Sequence, residues 1–299
     1  MNSLKTGAAR PCVLVFSGHD PSGGAGIQAD VEAITAQGAH ALTVVTSLTV
    51  QDNNQVYAVH AVAPEIVLAQ AECLIKNFPI AAVKLGIVGS AQNAVLIARI
   101  IRRLRGQCPA LPVVLDPVLG SGRGQQLSLD DATLALAPLL DVASLITPNL
   151  PEVGRLAAHG STVKQQAISL LGGVCRDVLL KGGHGVDEEV CNRWFRLHES
   201  FSQRVSDAQN VNGFQLGEKQ WSWPRLGGEF HGSGCTLAAA IAAQLACGQS
   251  MEASLFAAQI YTQSCLQQAY SIAPGQLIPQ RYLKSQASQE FEPIVEKYD

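Results

Sequence analysis

Two glycines and a cysteine at the mouth of an expected helix form the most reactive combination in this sequence. His231-Gly232-Ser233-Gly234-Cys235-Thr236 runs directly into an alanine-rich stretch from Leu237 to Ala246. Unpaired backbone N–H groups at such a helix start would face whatever lies ahead of it and form an anion hole. Cys235, in the first turn, is expected to feel the positive end of the dipole. That would draw its pKa from about 8.5 toward the thiolate and make it a base or nucleophile. A buried, inert thiol is the alternative reading of any lone cysteine. The glycines ahead of it favour function.

Three further motifs carry polar groups at spacings that suit phosphate chemistry. Gly18-His19-Asp20-Pro21-Ser22-Gly23-Gly24-Ala25-Gly26 follows an apolar strand pattern and opens a helical one. Its glycines permit close backbone approach to a ligand, although a tight strand-to-helix turn needs the same residues. The turn lacks the Lys-Ser/Thr of a Walker loop, and Gly120-Ser121-Gly122-Arg123-Gly124 fails the spacing of a dinucleotide fingerprint. In Thr147-Pro148-Asn149-Leu150-Pro151-Glu152, the last Asn and the Glu stand three residues apart at a helix start. They either hold a hydrated magnesium ion through oxygen atoms or form a capping box. Lys181-Gly182-Gly183-His184 closes another strand pattern, which places an ammonium at the carboxyl edge of a sheet, where open α/β folds bind ligands. A solvated lysine is the other reading.

The elements that must position these motifs alternate along the chain. Short β-branched runs at 13–16, 41–50, 82–85, 113–115, 144–146 and 178–180 read as strands. Apolar residues at three- and four-residue spacing predict helices over 26–36, 65–77, 91–105, 130–139, 150–158 and 163–171. This alternation is the pattern of a parallel sheet wrapped by helices. Between 188 and 226 it gives way to aromatic residues among polar ones with Asn-Gly and Leu-Gly turns, which reads as an antiparallel ribbon. Helices at 234–246 and 251–270 follow, then a polar tail from Ser285. One domain over 1–284, with a ribbon insertion at about 187–227, is the expected organisation.

Composition excludes several function classes. With 47% hydrophobic and 15% charged residues, the chain can bury a large core. A formal charge of −3 without any Lys/Arg run argues against nucleic acid as a partner. The first apolar run, Cys12 to Phe16, is too short for a signal-peptide core, and no stretch is long enough to span a membrane. Eight cysteines without close pairing suit a reducing, cytoplasmic setting.

Taken in order, the motifs resemble one family. Ser17 to Asp30, Val50-Gln51-Asp52-Asn53, Lys84-Leu85-Gly86-Ile87 and Leu115-Asp116-Pro117-Val118 match it, as do Thr147 to Glu152, Lys181 to His184 and His231 to Leu237. The chain is similar, over about residues 12 to 275, to the ribokinase-like kinases and within them to hydroxymethylpyrimidine/phosphomethylpyrimidine kinases. Each motif is weak by itself, and seven in order are strong.

The resemblance implies an α/β fold of the ribokinase-like kind: a central, mostly parallel sheet with helices on both faces, a small antiparallel β ribbon or flap, and an active site along the carboxyl edge. It implies ATP and Mg²⁺ as cofactors and a hydroxymethylpyrimidine as the small-molecule substrate in thiamine biosynthesis, with a homodimer as the family-level expectation. Gly18, Asp20, Ala25, Gln51, Ile87 and Val118 would bind the pyrimidine, the Gln51 amide reading its nitrogens and amino group. Thr147, Asn149 and Lys181 would bind ATP, while Glu152 and Asp116 would organise the metal. Gly232, Ser233 and Gly234 would form the anion hole, with Cys235 at the position of the base. Three features depart from the family pattern: Ile87 stands where Met is usual, Leu226 to His231 replaces the common Asn-Thr-His, and the ribbon from Arg204 to Leu226 is long. Pyridoxal kinase is the competing activity. A non-catalytic pseudo-kinase is the competing class, against which Asn149, Glu152, Lys181 and Cys235 all count.

Overall fold

Alternating apolar runs and amphipathic stretches become strands and helices much as their periods dictate. A computed structural model describes residues 9–120, 132–157, 160–185, 187–199, 210–211 and 214–282. In chain order the first half holds β1 (Cys12–His19), α1 (Gly26–Ala36), β2 (His40–Gln51), β3 (Val56–Ala61), α2 (Pro64–Asn77), β4 (Ile80–Leu85) and α3 (Ala91–Gln107). Next come β5 (Val113–Leu115), α4 (Ala132–Leu140), β6 (Leu145–Ile146), α5 (Leu150–Leu156), α6 (Val163–Ser169) and β7 (Asp177–Leu180). The chain continues through β8 (Glu189–Glu199), β9 (Asn210–Val211), β10 (Phe214–Pro224), α7 (Ser233–Ala246) and α8 (Met251–Gln267).

The strands form one ten-stranded sheet in the order β3-β2-β1-β4-β5-β6-β7-β8-β10-β9. From β2 to β7 every pairing is parallel, and both ends of the sheet are closed by antiparallel strands. The period of two along β1 divides the interior. Leu14 and Phe16 join the core built with α2 to α6, while Val13 and Val15 join the one built with α1, α7 and α8. Helix α3 shows how local and tertiary signals agree. Ser90 accepts the Asn93 N–H at 3.2 Å as its cap, and Ala94, Ile97, Ala98, Ile101 and Leu104 bury one stripe.

The structure adds one strand and fixes the place of the expected ribbon. Residues 56–61 form the strand β3, paired antiparallel with β2 across the turn at Asp52 to Gln55, a hairpin signal that the sequence reading passed over. The ribbon is continuous with the main sheet, because β8 pairs with β7 from Asp177 to Leu180. Helices α6 and α8 also end earlier than their patterns suggest, at Ser169 and Gln267. Residues 121–124 of the second Gly-rich stretch, 130–131 and 158 of two expected helices, 200–209 and 212–213 of the ribbon, and the tail from 283 lie outside the described residues.

Candidate active site

Because the central strands run parallel, their carboxyl ends share one edge, and each delivers a motif there. Strand β1 leads into the loop at Gly18 to Ala25, β2 ends at Gln51, and β4 leads to Ile87. Asp116 and Val118 follow β5, Asn149 follows β6, and Lys181 follows β7. Gly18, Asp20 and Ala25 of that loop and the other residues named, with Glu152 and Gly232 to Cys235, line a single cavity of about 530 Å³. Among the predicted site residues, Thr147 is the exception. It is fully buried and sits behind Asp116, with its hydroxyl 3.4 Å from Asp116 Oδ1. Its place is that of a support for the carboxylate, which corrects the expectation that it touches ATP.

The anion hole takes its shape from the backbone. Gly232 caps α7 in the left-handed region, with φ of +83°, and no side chain caps the helix, so the first N–H groups remain free for a ligand. A Cβ at Gly232 would lie 2.1 Å from the Gly24 carbonyl oxygen, and one at Gly234 would lie 3.2 Å from Lys181 Nζ. Gly232 therefore requires glycine for space as well as for conformation, whereas at Gly234 a side chain would press on the tip of Lys181.

Cys235 stands half-buried in the wall of the cavity. The expectation of a lowered thiol pKa is not met. Burial pushes the Cys235 thiol up to about 11; Lys84 opposes that rise, while Asp116 and Asp30 reinforce it. Removal from water and two nearby carboxylates thus outweigh the favourable end of one helix.

Lys181 lies on the cavity wall. Its Nζ donates to Asp116 Oδ1 at 2.7 Å and lies 4.0 Å from Glu152 Oε2. Burial alone would lower the Lys181 pKa, but the two carboxylates hold it above its ordinary value. Asn149 and Glu152 form the capping box that was the alternative reading. The Glu152 carboxylate accepts the Asn149 backbone N–H and the Asn149 side-chain Oδ1 accepts the Glu152 backbone N–H, both at 2.8 Å. Asn149 lines the cavity with one hydrogen bond already made at its side-chain oxygen, and its amide N–H₂ is a donor of the kind that suits a phosphate oxygen.

Among the described residues no three His, Cys, Asp or Glu side chains cluster as a metal site. Asp116 and Glu152 alone still fit magnesium that arrives on a nucleotide, because that ion retains waters and needs only one or two hard carboxylates. When bound, the ion would neutralise phosphate charge.

Glu152 gives a pH test. Burial raises its carboxyl to about 7, with Lys181 opposing and Asp116 adding to the rise. This lies above the 4.5 of an ordinary glutamate, so the folded chain binds the proton more tightly than the unfolded one. The stability contributed here is present below about pH 4.5 and is lost as pH climbs through about 7. Glu152→Gln keeps an acceptor for the Asn149 N–H and removes the titration. In metal-free thermal melts it should gain more over the wild type at about pH 8 than at about pH 5. Equal differences at both pH values would show an ordinary carboxylate.

On the acceptor side, Asp20 is buried and committed to its own loop. Its Oδ1 accepts from the Ser22 N–H and hydroxyl, and its Oδ2 from the Ala25 N–H, all at 2.8 Å. His231 Nε2 lies 2.8 Å from the same Oδ2. Asp20 lines the cavity as expected, and its oxygens shape the turn that a substrate would meet. Gly18 is constrained by space, since a Cβ there would lie 2.6 Å from Ser47 Oγ. Gln51 is half-buried on the cavity wall. Among the described residues its side-chain amide has no hydrogen-bond partner. Ile87 and Val118 supply apolar wall, and the Ile87 carbonyl is held by the Thr46 hydroxyl.

Comparison with known proteins follows this geometry. Residues 20–279 match the phosphomethylpyrimidine kinase family. A hydroxymethylpyrimidine/phosphomethylpyrimidine kinase from Escherichia coli is 36% identical over 237 residues, covering 77% of this chain and 81% of that protein. The chain belongs to the phosphomethylpyrimidine kinase family. A solved phosphomethylpyrimidine kinase from Clostridium difficile is 27% identical, with a TM-score of 0.66 over 86% of this chain and 100% of that one. A pyridoxal kinase from Staphylococcus aureus, solved with AMP-PCP and pyridoxal, shares the fold at 23% identity, with a TM-score of 0.72 over 91% of this chain and 94% of that one.

Four residues around the cavity were not among those expected to act there. Lys84 and Asp30 form a fully buried ion pair, with both carboxylate oxygens 2.8 Å from Nζ. His231 holds Asp20, and Arg281 binds the backbone at Gly24. A lysine in the otherwise apolar run Ile80 to Leu85 was a usable signal for the first pair. No local pattern marks Arg281.

Proposed function

We propose that this chain transfers the γ-phosphoryl group of ATP to 4-amino-5-hydroxymethyl-2-methylpyrimidine and then to the resulting monophosphate, as a thiamine-biosynthesis kinase. Family membership supports the reaction class. The observation that carries the reading is one cavity holding a ring-reading amide, Gln51, together with the free N–H groups of α7. The acceptor ring lies between Gln51, Ile87 and Val118, with its hydroxymethyl group toward Cys235. The phosphates lie over Gly232 to Gly234, with Lys181 and Asn149 donating to them and magnesium shared with Asp116 and Glu152. Phosphoryl transfer chiefly needs such positioning and charge neutralisation.

A cytoplasmic location and a homodimer belong to the same proposal. The unpaired cysteines support the first. Among the described residues no helix is long and apolar enough to cross a membrane. For the second, exposed Leu48, Val50 and Tyr57 on the β2–β3 hairpin supply apolar surface at a sheet edge.

The test is ADP release with hydroxymethylpyrimidine, its monophosphate and pyridoxal assayed in parallel, with and without magnesium. Faster turnover of pyridoxal would move the assignment to the competing activity, and no turnover of any acceptor would favour a pseudo-kinase. Gln51→Leu should weaken pyrimidine binding by about 1 to 3 kcal/mol, a rise in KM of roughly 5- to 150-fold, because a buried ring polar group loses its partner. An unchanged KM would remove Gln51 from the acceptor site.

A further inference from the structure

After α8 the chain returns across the cavity's rim. Leu277 donates its N–H to the Glu229 carbonyl at 2.8 Å and accepts from the His231 N–H at 2.9 Å. The Tyr261 hydroxyl then donates to the Arg281 carbonyl at 2.9 Å and fixes the backbone there. The Arg281 side chain is fully buried. Its Nε donates to Thr236 Oγ1 at 2.8 Å, its Nη1 to Glu32 Oε2 at 3.1 Å, and its Nη2 to the Gly24 carbonyl. Thr236 belongs to the first turns of α7 and returns its hydroxyl proton to the Gly232 carbonyl at 2.8 Å. Gly24 belongs to the loop that Asp20 shapes.

These two backbones touch at Gly232, where a Cβ would lie 2.9 Å from Ala25 Cα and 2.9 Å from Arg281 Nη2. One planar group therefore spans the joint between the acceptor loop and the anion hole. Only a guanidinium offers donors in three directions from a rigid plane. Burying a cation beside the positive end of a helix is unfavourable in itself. Glu32, its one carboxylate partner, is only partly buried. The charge is well placed if that end must attract phosphate.

We propose that Arg281 is a positioning residue, which sets the distance between the acceptor hydroxyl and the phosphate cradle and adds positive potential to that cradle. Arg281 lies outside residues 20–279 of the family match. The inference rests on the reading of those two subsites given above.

The experiment is steady-state kinetics of full-length Arg281→Met and Arg281→Lys at a temperature where circular dichroism shows each variant fully folded. Met keeps the apolar stem and should lower kcat/KM for the acceptor by about 10²-fold, with kcat reduced and acceptor KM raised, since a misplacement of an ångström has that effect. Lys keeps the charge without the fork and should fall between Met and wild type. A purely structural role would lower the melting temperature of both variants and leave the kinetics of the folded enzyme unchanged; that result overturns the proposal. If Arg281→Met does not fold, Thr236→Val removes one acceptor of the fork, and an unchanged acceptor KM there would equally overturn it. Wild-type enzyme that prefers pyridoxal would sink the functional reading alone, because the ratio of variant to wild type can then be read with pyridoxal.

Discussion

Cys235→Ala is expected to fold normally and to lower kcat by about 10² to 10⁴, with KM for ATP little changed, as for loss of an acid–base group. The structure alters how that loss would arise. With its thiol raised to about 11, Cys235 is protonated at neutral pH in the empty site. If the thiolate is the base, the active fraction grows about tenfold per pH unit below that value, and kcat climbs steadily through the alkaline range. If the thiol only orients the acceptor hydroxyl, kcat stays flat from about pH 7 to 9. The pH–rate profile of the wild type separates the two. The raised value also predicts slow alkylation: Cys73, Cys108 and Cys247 are exposed and should react before Cys235, so inactivation should lag behind total modification by mass spectrometry. A folded Cys235→Ala with near wild-type kcat would leave the cysteine as packing at the helix start.

The parallel core was legible because its physics is local and periodic. β-branched runs buried on both faces, as in Val13 to Phe16, signal parallel strands whatever surrounds them, and α1 begins and ends where its pattern does. Motif positions at strand ends then followed from topology alone. What was not legible depends on neighbours distant in sequence. The rise in the Cys235 pKa comes from burial and from Asp30 and Asp116, residues brought beside it by two other elements, whereas the expected fall followed from the helix it opens. The His231 contact to Asp20 was not legible because nothing in the Asp20 turn shows that His231 arrives from 211 positions away. Asn149 and Glu152 fit capping and metal binding equally well by spacing, and only the reciprocal bonds show that the cap forms. For β3, the signal was present in the alternation of Val56 to Ala61 after an Asp-Asn-Asn turn.

Lys84→Met should be the most damaging single change to stability, by about 3 to 5 kcal/mol, because it leaves Asp30 buried without its counter-ion. Both side chains are wholly excluded from solvent. Burial opposes charge on Lys84, yet the contact with Asp30, aided by Cys235 and Asp116, keeps its pKa above the ordinary value. Burial pushes the Asp30 carboxyl up as well, but Nζ at 2.8 Å from both carboxylate oxygens is the geometry of an ion pair, and losing one member strands the other. A loss of that size approaches the whole stability of many domains, so the variant should melt on the order of 10 °C lower or fail to accumulate. Removing both charges, as in Asp30→Leu with Lys84→Met, should restore most of the stability, since apolar residues of similar volume often replace buried ion pairs without loss. Activity should not return with it. Lys84 lowers the Cys235 thiol more than Asp30 raises it, so if the thiolate is the base, a folded double variant should show its alkaline rise in kcat at higher pH than wild type. Thermal melts and pH–rate profiles on the single and double variants read the two effects separately. A double variant as unstable as Lys84→Met would show that packing around the pair, and not the stranded charge, carries the stability; one with a wild-type pH profile would disconnect Lys84 from Cys235.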